Sequence, residues 1–429
     1  MKVAFYTLGC KVNQYEAQVL AELFAARGHQ VVPASQPADL YVVNSCTVTA
    51  AGDQKTRRML RHLKAQSPGA KVVLTGCYPQ AFPQAAGQLA EADLVTGARD
   101  RAKLVELAEQ CVAGGERLVC LPPHQRGEGF EPMRVHAFSE RTRAFVKIQD
   151  GCENYCSYCI IPTARGPLRS KAPEDLRREL EGLAAAGYRE AVLVGINLSC
   201  YGRELGLRLA DAVELACGVP GLERVRLGSV EPELLTPQDI ARMAAQPKLC
   251  GQFHLSLQSG CDATLRRMNR HYDTAEYARI VAAMREQFPG CAITTDVMVG
   301  FPGEDEGEFA QSLAFVEKMA FAKVHVFPYS RRPGTRAAVM PGQVPRAEKH
   351  RRSARMIALA AQGRAAFLQR QVGLVEPVLF ESRLADGLWE GYTANYTPVR
   401  AAGAENLQGR LLPVRVTVAG DDWCLGELL

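Results

Sequence analysis

Short apolar runs and amphipathic stretches alternate along the first 120 residues. The runs VAFYTLG, LYVVNS and KVVLTG are separated by stretches with helical periodicity near residues 14–27, 53–65 and 101–112. Buried strands that alternate with helices are typical of a parallel sheet covered by helices. The pattern therefore predicts an open parallel α/β domain over residues 1–120.

The pattern changes twice along the rest of the chain. Residues 121–140 are rich in Pro, Gly and charge without periodicity, which predicts a linker. Apolar runs then alternate with helical stretches such as 174–187 and 304–320, which predicts a partial (β/α)6 barrel over residues 141–371. Short strands with Gly and Pro turns predict a small antiparallel β-barrel over residues 372–429. The six apolar runs of the larger barrel lie at 144–149, 191–196, 224–230, 252–258, 292–300 and 323–330.

Composition narrows the setting of the protein. No apolar run approaches the length that spans a bilayer, and the N-terminus is typical of a first buried strand rather than a signal peptide. These features predict a cytoplasmic protein with no membrane partner. Fourteen cysteines in a reducing compartment are expected to remain thiols, so the clustered ones favour metal binding and the scattered ones favour burial in the core.

Three cysteines lie in one loop directly after the first run of the larger barrel. Cys152, Cys156 and Cys159 occur within eight residues of the segment DGCENYCSYCII. Three thiolates on a four-iron cluster leave one iron open to chelate a small molecule. A zinc knuckle is the alternative, but it needs a fourth ligand and the loop has no further Cys or His. The loop therefore predicts an iron–sulfur site.

A second set of cysteines is dispersed in sequence. Cys10, Cys46 and Cys77 each stand at the end of a predicted strand, just before a turn into a helix. Because the carboxyl ends of neighbouring parallel strands meet at one edge of a sheet, we expect these thiols to lie close together. A single such cysteine is more often a core residue, but three in the same structural position predict a second cluster site.

The CxxxCxxC loop resembles that of the radical S-adenosylmethionine (SAM) superfamily. The resemblance implies a cluster whose open iron binds SAM, and reductive cleavage of SAM to methionine and a 5′-deoxyadenosyl radical. It also implies that the backbone at Tyr158 meets the adenine, with a buried packing tyrosine as the alternative. Polar residues and glycines at the strand ends of such barrels are candidate SAM contacts, with ordinary turn and capping roles as the alternative. These candidates are Gly195, Asn197, Ser229, Glu231, Asp296 and Gly300.

The two cysteine triads together resemble the methylthiotransferase family, which also carries a C-terminal barrel called a TRAM domain. The resemblance implies two [4Fe-4S] clusters, two SAM molecules per turnover, and a low-potential electron donor such as flavodoxin or ferredoxin. The segments TLGCKVNQYEAQ and NSCTVT are similar to the branch that adds methylthio to C2 of N6-threonylcarbamoyladenosine at position 37 of tRNA. Isopentenyladenosine in tRNA, an aspartate of a ribosomal protein, and a non-enzymatic iron–sulfur RNA-binding or redox role are the alternatives.

Charge along the chain is uneven. The segment 346–371 holds seven basic and one acidic side chain, including Arg351, Arg352 and Arg355, while residues 372–429 hold four basic and eight acidic ones. Basic helices favour contact with the phosphates of a tRNA anticodon arm, although a solvated helix face is the alternative. A second basic helix contains Lys55, Arg57, Arg58, Arg61 and Lys64. The barrel aromatics Trp389, Tyr392 and Tyr396 are either base-stacking or core residues.

Overall fold

The computed structural model describes residues 1–138 and 142–429. The chain divides into two compact units that are interleaved in sequence. The first contains Met1–Val135, Lys147–Lys171 and Ser330–Ala338, and the second contains His136–Val146, Ala172–Tyr329 and Val339–Leu429. The domain boundaries expected from sequence stay predictions. The last two residues of the expected linker and the first residue of the expected larger barrel, 139–141, lie outside the described residues.

The first unit is built on a six-stranded sheet. Its strands are β1 Lys2–Thr7, β2 Gln30–Val32, β3 Leu40–Ser45, β4 Lys71–Gly76, β5 Leu94–Thr96 and β6 Leu118–Cys120. Its helices over this region are α1 Lys11–Ala26, α2 Ala50–Gln66, α3 Cys77–Ala81, α4 Pro83–Gly87 and α5 Arg101–Val112. The strand order is β2-β1-β3-β4-β5-β6 and the pairings are parallel, which confirms the predicted open α/β architecture.

Apolar side chains on both faces explain why the central strands are continuous apolar runs. In β3, Leu40 and Val42 pack into one core while Tyr41 and Val43 pack into the other. A parallel sheet that is covered on both sides needs apolar residues at successive positions rather than at alternate ones. The run LYVVNS is therefore buried along its whole length.

The expected linker has no helix or strand within the described residues but is held against the first unit. Met133 and Val135 are buried. The Met133 carbonyl accepts hydrogen bonds from the Tyr15 hydroxyl at 3.1 Å and from Lys171 Nζ at 2.9 Å. Glu131 forms an ion pair with Arg101. Residues 121–135 are therefore a packed segment of this unit rather than a loose tether.

The remaining elements of the first unit surround the cysteine loop. They are α6 Ile161–Arg165 and the short strands β8 Gln149–Asp150 and β9 Arg169–Ser170, which pair antiparallel.

The second unit holds the strands of the larger barrel. They are β7 Arg143–Lys147, whose last residue belongs to the first unit, β10 Glu190–Val194, β11 Arg224–Leu227, β12 Ser229–Val230, β13 Gln252–Leu255, β14 Ala292–Val299 and β15 Lys323–Pro328. Each of the six predicted runs contains a strand. These strands pair into two sheets, one in the order β11-β10-β7 and the other in the order β12-β13-β14-β15. Gly228 interrupts the third run and separates β11 from β12. The helices are α7 Pro173–Ala185, α8 Leu209–Cys217, α9 Pro237–Ala244, α10 Asp262–Arg267, α11 Thr274–Gln287, α12 Glu306–Met319 and α13 Arg346–Gln369.

The C-terminal strands form a closed barrel, as predicted. They are β16 Val375–Arg383, β17 Trp389–Tyr392, β18 Pro398–Ala401, β19 Leu411–Ala419 and β20 Cys424–Leu428, in the order β16-β17-β18-β20-β19. Neighbours are antiparallel except for β18 and β20, which are parallel. Trp389 lies in the core, and Tyr392 stacks on Tyr396 with ring centroids 4.7 Å apart. Arg143 lies over both tyrosine rings.

Over residues 1–138 and 142–429, none of the helices combines the length and the apolar character that crossing a membrane requires.

Candidate active site

Strand register brings the three dispersed cysteines to one edge of the N-terminal sheet. Strands β1, β3 and β4 are neighbours, with Thr7 opposite Asn44 and Ser45 opposite Gly76. Cys46 and Cys77 directly follow their strands, and Cys10 stands three residues beyond Thr7. Since the strands end level with one another, the three loops meet as the sequence predicted.

Two glycines show how closely these loops approach. A Cβ atom on Gly9 would lie 2.6 Å from Cys46 Cβ and 3.1 Å from Cys46 Sγ. A Cβ on Gly76 would lie 2.5 Å from the Ser45 carbonyl oxygen. Both glycines have positive φ angles, +116° and +97°. Any other residue at either position would displace the backbone or side chain beside a cysteine.

Asn13 connects the first two cysteine loops. Its Nδ2 atom donates to the Leu8 carbonyl at 3.1 Å and to the Ser45 carbonyl at 2.9 Å. Its Oδ1 atom accepts from Cys10 Sγ at 3.6 Å. Asn13 is fully buried on the first turn of α1. One side chain therefore fixes the position of Cys10 relative to the segment that carries Cys46.

Arg165 reaches the third cysteine. It ends α6, which begins two residues after Cys159, and its side chain is fully buried. Arg165 Nε donates to Cys77 Sγ at 3.1 Å, and Nη2 donates to Asn13 Oδ1 at 2.9 Å. Nη1 donates to Glu16 Oε1 at 2.5 Å. A residue of the second cysteine loop is thus bonded to a cysteine of the first triad.

A buried network of ion pairs supports Arg165. Glu16 also pairs with Arg101 at 2.6 Å and with Lys147 at 2.7 Å. Burial acts to raise the pKa of Glu16, but Arg101, Arg165 and Lys147 together hold that pKa well below its usual range. Glu16 is therefore ionised at neutral pH and keeps the guanidinium of Arg165 in place.

The thiols of this triad differ in exposure and in acidity. Cys10 is exposed, Cys46 is half-buried and Cys77 is buried. Burial raises the pKa of the Cys77 thiol to about 12 and also raises that of Cys46, while the positive charge of Arg165 opposes both shifts. Cys77 is therefore a neutral thiol at pH 7, and it releases a proton when it binds a metal.

The second triad lies on a compact loop. The amide of Cys159 donates to the Cys156 carbonyl at 3.0 Å, and the amide of Cys152 donates to the Gly166 carbonyl at 3.2 Å. All three thiols are half-buried, as is Tyr158. The loop is closed by its own backbone, so its thiols can be reached without unfolding the core.

Of the candidate SAM contacts on the second unit, Gly195, Glu231 and Gly300 directly follow strands, whereas Ser229 begins β12 and Asp296 lies within β14. Several candidates already have protein neighbours. Glu231 forms an ion pair with the buried Arg270. Asp296 lies 3.4 Å from His254 Nε2, and His254 Nδ1 contacts Thr294 Oγ1 at 3.0 Å. Among the remaining candidates, Gly195 is half-buried, Asn197 is buried and Ser229 is exposed.

Gly300 has a packing role that the sequence did not reveal. Its φ angle is +69°, and a Cβ atom there would lie 2.4 Å from Lys349 Cγ. Lys349 Nζ donates to the Tyr329 carbonyl at 3.1 Å. The space in front of Gly300 is therefore filled by a lysine of α13.

The basic segment 346–371 is a helix, but its cations are less available than the sequence suggested. Arg352 is buried and donates to Glu304 Oε1 at 2.7 Å. Arg351 contacts Glu306 at 2.7 Å and Glu348 at 2.8 Å, and Arg355 contacts Glu306 at 2.5 Å. Arg352 is therefore not open to phosphates, whereas Arg351 and Arg355 stay exposed beside their carboxylate partners, and their contact with phosphates stays a prediction.

Comparison with known proteins identifies the chain. Residues 2–97 match the family model described as "Uncharacterized protein family UPF0004", and residues 146–316 match "Radical SAM superfamily". The threonylcarbamoyladenosine tRNA methylthiotransferase MtaB of Bacillus subtilis is 36% identical over 433 residues, which cover 100% of this chain and 96% of the relative. The protein of that name from Thermotoga maritima is 36% identical and covers 96% and 94%. The chain belongs to the radical SAM methylthiotransferase family.

The methylthiotransferase is also similar to a relative with a different named substrate and to a solved structure of a radical SAM methyltransferase. The tRNA-2-methylthio-N(6)-dimethylallyladenosine synthase of Caldicellulosiruptor saccharolyticus is 33% identical and covers 99% of this chain and 91% of the relative. The radical SAM methyltransferase TsrM of Kitasatospora setae has a TM-score of 0.60 at 16% identity and covers 79% of this chain and 77% of that one, which supports the fold alone. The protein is a radical SAM enzyme, and the non-enzymatic alternative is not supported.

The cysteine loops of the methylthiotransferase fit iron–sulfur clusters. Radical SAM proteins use a [4Fe-4S] cluster and SAM. Within the described ranges, no group of three or more Cys, His, Asp or Glu side chains converges as the ligands of a single ion do. The thiolates of a four-iron cluster each bind a different iron, so they need not converge in this way. The glycine cradle beside Cys46 and the Arg165 donor at Cys77 suit an anionic, sulfur-ligated group.

Sequence reasoning missed the residues that organise the first triad. Asn13 and Glu16 lie in the segment CKVNQYE, three and six residues after Cys10, on the helix that begins directly after that cysteine. Arg165 lies in TARG, six residues after Cys159. The motifs that contain these residues were visible in the sequence, but their roles depend on contacts across more than 140 residues.

Proposed function

We propose that this methylthiotransferase adds a methylthio group to C2 of N6-threonylcarbamoyladenosine at position 37 of tRNA. The observation that carries the proposal is the similarity, over the whole chain, to relatives named for threonylcarbamoyladenosine tRNA. The meeting of Cys10, Cys46 and Cys77 at one sheet edge supports a second cluster, which the chemistry needs in addition to the one at the CxxxCxxC loop.

The two triads have separate roles in this proposal. Cys152, Cys156 and Cys159 hold a [4Fe-4S] cluster that keeps one iron for SAM, and Cys10, Cys46 and Cys77 hold an auxiliary [4Fe-4S] cluster that carries the sulfur. When bound, these groups supply reducing electrons, the 5′-deoxyadenosyl radical, the methyl group and the sulfur. The chain orients the auxiliary thiols through Asn13 and Arg165 and keeps Glu16 ionised beneath them.

Residues at the strand ends complete the proposal for SAM. Gly195 and Glu231 directly follow barrel strands, and such folds bind ligands at the carboxyl ends of their strands. Asp296 offers a carboxylate that is one-third exposed, and Glu231 offers one that Arg270 holds in a fixed orientation. The proposed SAM contacts are Tyr158, Gly195, Asn197, Ser229, Glu231, Asp296 and Gly300. Gly300 would contact SAM through its backbone, because Lys349 fills the space in front of its Cα.

The partners are inferred from the same chemistry. We assign the anticodon arm of tRNA as the substrate surface, a low-potential protein such as flavodoxin or ferredoxin as the electron donor, and the cytoplasm as the location. Exposed cations on α2, among them Lys55 and Arg58, support a phosphate contact on the first unit.

A substrate comparison tests the function. The enzyme is reconstituted anaerobically and incubated with SAM, dithionite and one of three substrates: tRNA with N6-threonylcarbamoyladenosine, tRNA with isopentenyladenosine, or a ribosomal protein fragment. We expect 5′-deoxyadenosine in every case and the methylthio nucleoside only with the first tRNA, as read by mass spectrometry. The C152A/C156A/C159A variant is the control and should form neither product. A product on the second tRNA alone would instead support the branch of the dimethylallyladenosine synthases.

A further inference from the structure

We infer that Arg165, together with Asn13, is a positioning residue for the auxiliary cluster, although it belongs to the loop of the other cluster. In this role Arg165 orients the Cys77 ligand and raises the reduction potential of the auxiliary cluster through its bond to sulfur. The inference rests on the proposed function, because it requires that Cys10, Cys46 and Cys77 hold a cluster.

The hydrogen-bond geometry of Arg165 is the first support. Two of its three nitrogens are engaged by Glu16 and Asn13 at 2.5–3.1 Å. The third, Nε, points at Cys77 Sγ at 3.1 Å, within the range of a good N–H donor to sulfur. A guanidinium that only balanced Glu16 would not need its Nε directed at a cysteine. The contacts with Glu16 and Asn13 therefore orient Arg165 so that its Nε donates to Cys77 Sγ.

Asn13 extends this arrangement to the whole triad. Its Oδ1 accepts from both Arg165 Nη2 and Cys10 Sγ, and its Nδ2 donates to the carbonyl that precedes Cys46. With Cys10 protonated, one chain of hydrogen bonds therefore runs from Cys77 through Arg165 and Asn13 to Cys10 and to the Cys46 loop. When Cys10 binds iron as a thiolate it no longer donates to Asn13, while the bonds of Asn13 to Arg165 and to the Ser45 carbonyl remain. The thiols are placed by a shared pair of side chains rather than each by its own loop.

Packing keeps Arg165 in this position. Ile160 and Ala164 form an apolar cluster with Cys77 and Ala81 of α3. The helix α6 starts with proline at its first turn and ends at Gly166, whose φ angle is +68°. The position of α6, and so of the backbone from which Arg165 extends, is thus set by contacts with the helix that begins at Cys77.

The expected consequence follows from general cluster chemistry. Hydrogen bonds to the sulfur ligands of an iron–sulfur cluster, the net charge around it and its burial set the reduction potential. A donor that carries positive charge stabilises the more negative reduced state and so raises the potential. Partners of metal ligands also orient those ligands, and their loss typically lowers metal affinity by about 10–100-fold.

Arg169 provides a matched control. It lies four residues further along the same loop, is also buried and also carries one positive charge. It donates to Asp150 at 3.0 Å and to the carbonyls of Arg165 and Pro167 at 2.8 and 2.9 Å. Its hydrogen bonds in the structure reach a carboxylate and two carbonyls, not a sulfur. R169K therefore tests the replacement of a buried arginine in this segment without loss of the donor to Cys77, and R169Q, which adds the loss of a buried charge, should shift the auxiliary potential less than R165Q does.

The test uses the full-length protein loaded anaerobically with ⁵⁷Fe. Wild type, R165K, R165Q, R169K and R169Q are compared by iron content, Mössbauer spectrum and redox titration. The C152A/C156A/C159A background identifies which redox wave belongs to the auxiliary cluster. We expect R165Q and R165K to shift that wave to lower potential and to weaken iron retention against a chelator by about 10–100-fold. R169K should leave the auxiliary wave at its wild-type position.

Each outcome has one meaning. A wild-type auxiliary wave and wild-type iron retention in a folded R165K would overturn the inference, as would equal shifts in R165K and R169K. If R165Q fails to fold, R165K decides, since it keeps the charge but not the three directed donors. If replacing Cys10, Cys46 and Cys77 with alanine left the iron content unchanged, that result would instead show that these residues hold no cluster, and it would contradict the proposed function.

Discussion

Arg332 Nη2 lies 2.7 Å from the carboxylate of Asp53, although 279 residues separate them in sequence. The same nitrogen donates to Thr47 Oγ1 at 2.6 Å. Arg332 belongs to the segment PYSRRPGT. Nearby, the amide of Ala337 donates to the Ser157 carbonyl at 2.7 Å. Residues 330–338 therefore hold both the turn after Cys46 and the CxxxCxxC loop.

Breaking this pair should destabilise the first unit. Asp53→Asn leaves the 2% exposed Arg332 without its counter-ion, and loss of one partner of a buried pair typically costs about 3–5 kcal/mol. We expect a clear fall in the calorimetric unfolding temperature. Asp175→Asn is the control, because its partner Arg178 is 58% exposed and surface pairs contribute about 0–1 kcal/mol. Equal shifts in the two variants would argue against a structural role for residues 330–338.

Iron content should separate the two cysteine triads. Two four-iron clusters give about eight irons per chain after anaerobic reconstitution. Replacing Cys10, Cys46 and Cys77 with alanine should roughly halve that number while 5′-deoxyadenosine still forms. Replacing the buried Cys217 of α8 with alanine should leave the iron unchanged, since Cys217 belongs to neither triad. A wild-type preparation that saturates near four irons would contradict the second site.

Salt dependence of tRNA binding should report on α2 more than on α13. Lys55 and Arg58 are exposed and form no ion pair within the part of the chain that is described. Their joint replacement by glutamine should reduce the steepness of the slope of log K against log salt by about 1.4–1.8, since each phosphate contact contributes about 0.7–0.9. The matched control is R351Q/R355Q, which also removes two exposed charges, but ones held by Glu306. A larger effect of the control pair would assign the phosphate contact to α13.

Acid stability should depend on Glu190. Burial acts to raise its pKa, but Arg226 at 2.7 Å, with Arg143 and Arg224, holds that pKa below its usual value of 4.5. Because the folded pKa is lowered, this stabilisation is present above about pH 4.5 and is lost as the pH falls through the folded pKa. The Glu190→Gln variant should therefore have a lower unfolding temperature than wild type at pH 7. The difference between the two unfolding temperatures should become smaller below pH 4.5. The exposed Glu223, changed to glutamine, should show little such difference at either pH.

The sequence predicted the elements better than it predicted the side-chain contacts. Strands such as β3 and β4 were recognisable because burial on both faces gives them several successive apolar residues. The three-residue strands β2, β5 and β6 were missed because they are too short to show a period. The triad of Cys10, Cys46 and Cys77 was predictable because strand order in a parallel sheet places strand ends together.

The charged interior could not be predicted in the same way. Glu16 and Arg165 are 149 residues apart, and nothing in local periodicity marks either as buried. Arg351, Arg352 and Arg355 had the appearance of a cationic surface because the helix of their acidic partners, Glu304 and Glu306, lies elsewhere in the sequence. A count of charged residues along the sequence does not show which acidic side chain each arginine contacts, because that depends on the fold.

Strand β20 closes the C-terminal barrel. It pairs with β19 on one side and, in parallel, with β18 on the other, so it closes the ring. Removing Cys424–Leu428 would expose the unpaired backbone of both neighbours at once and would uncover the buried Val399 and Val414. Open strand edges recruit other chains. Deletion of these five residues would therefore open the closed barrel and leave two strand edges that can pair with other chains and promote aggregation.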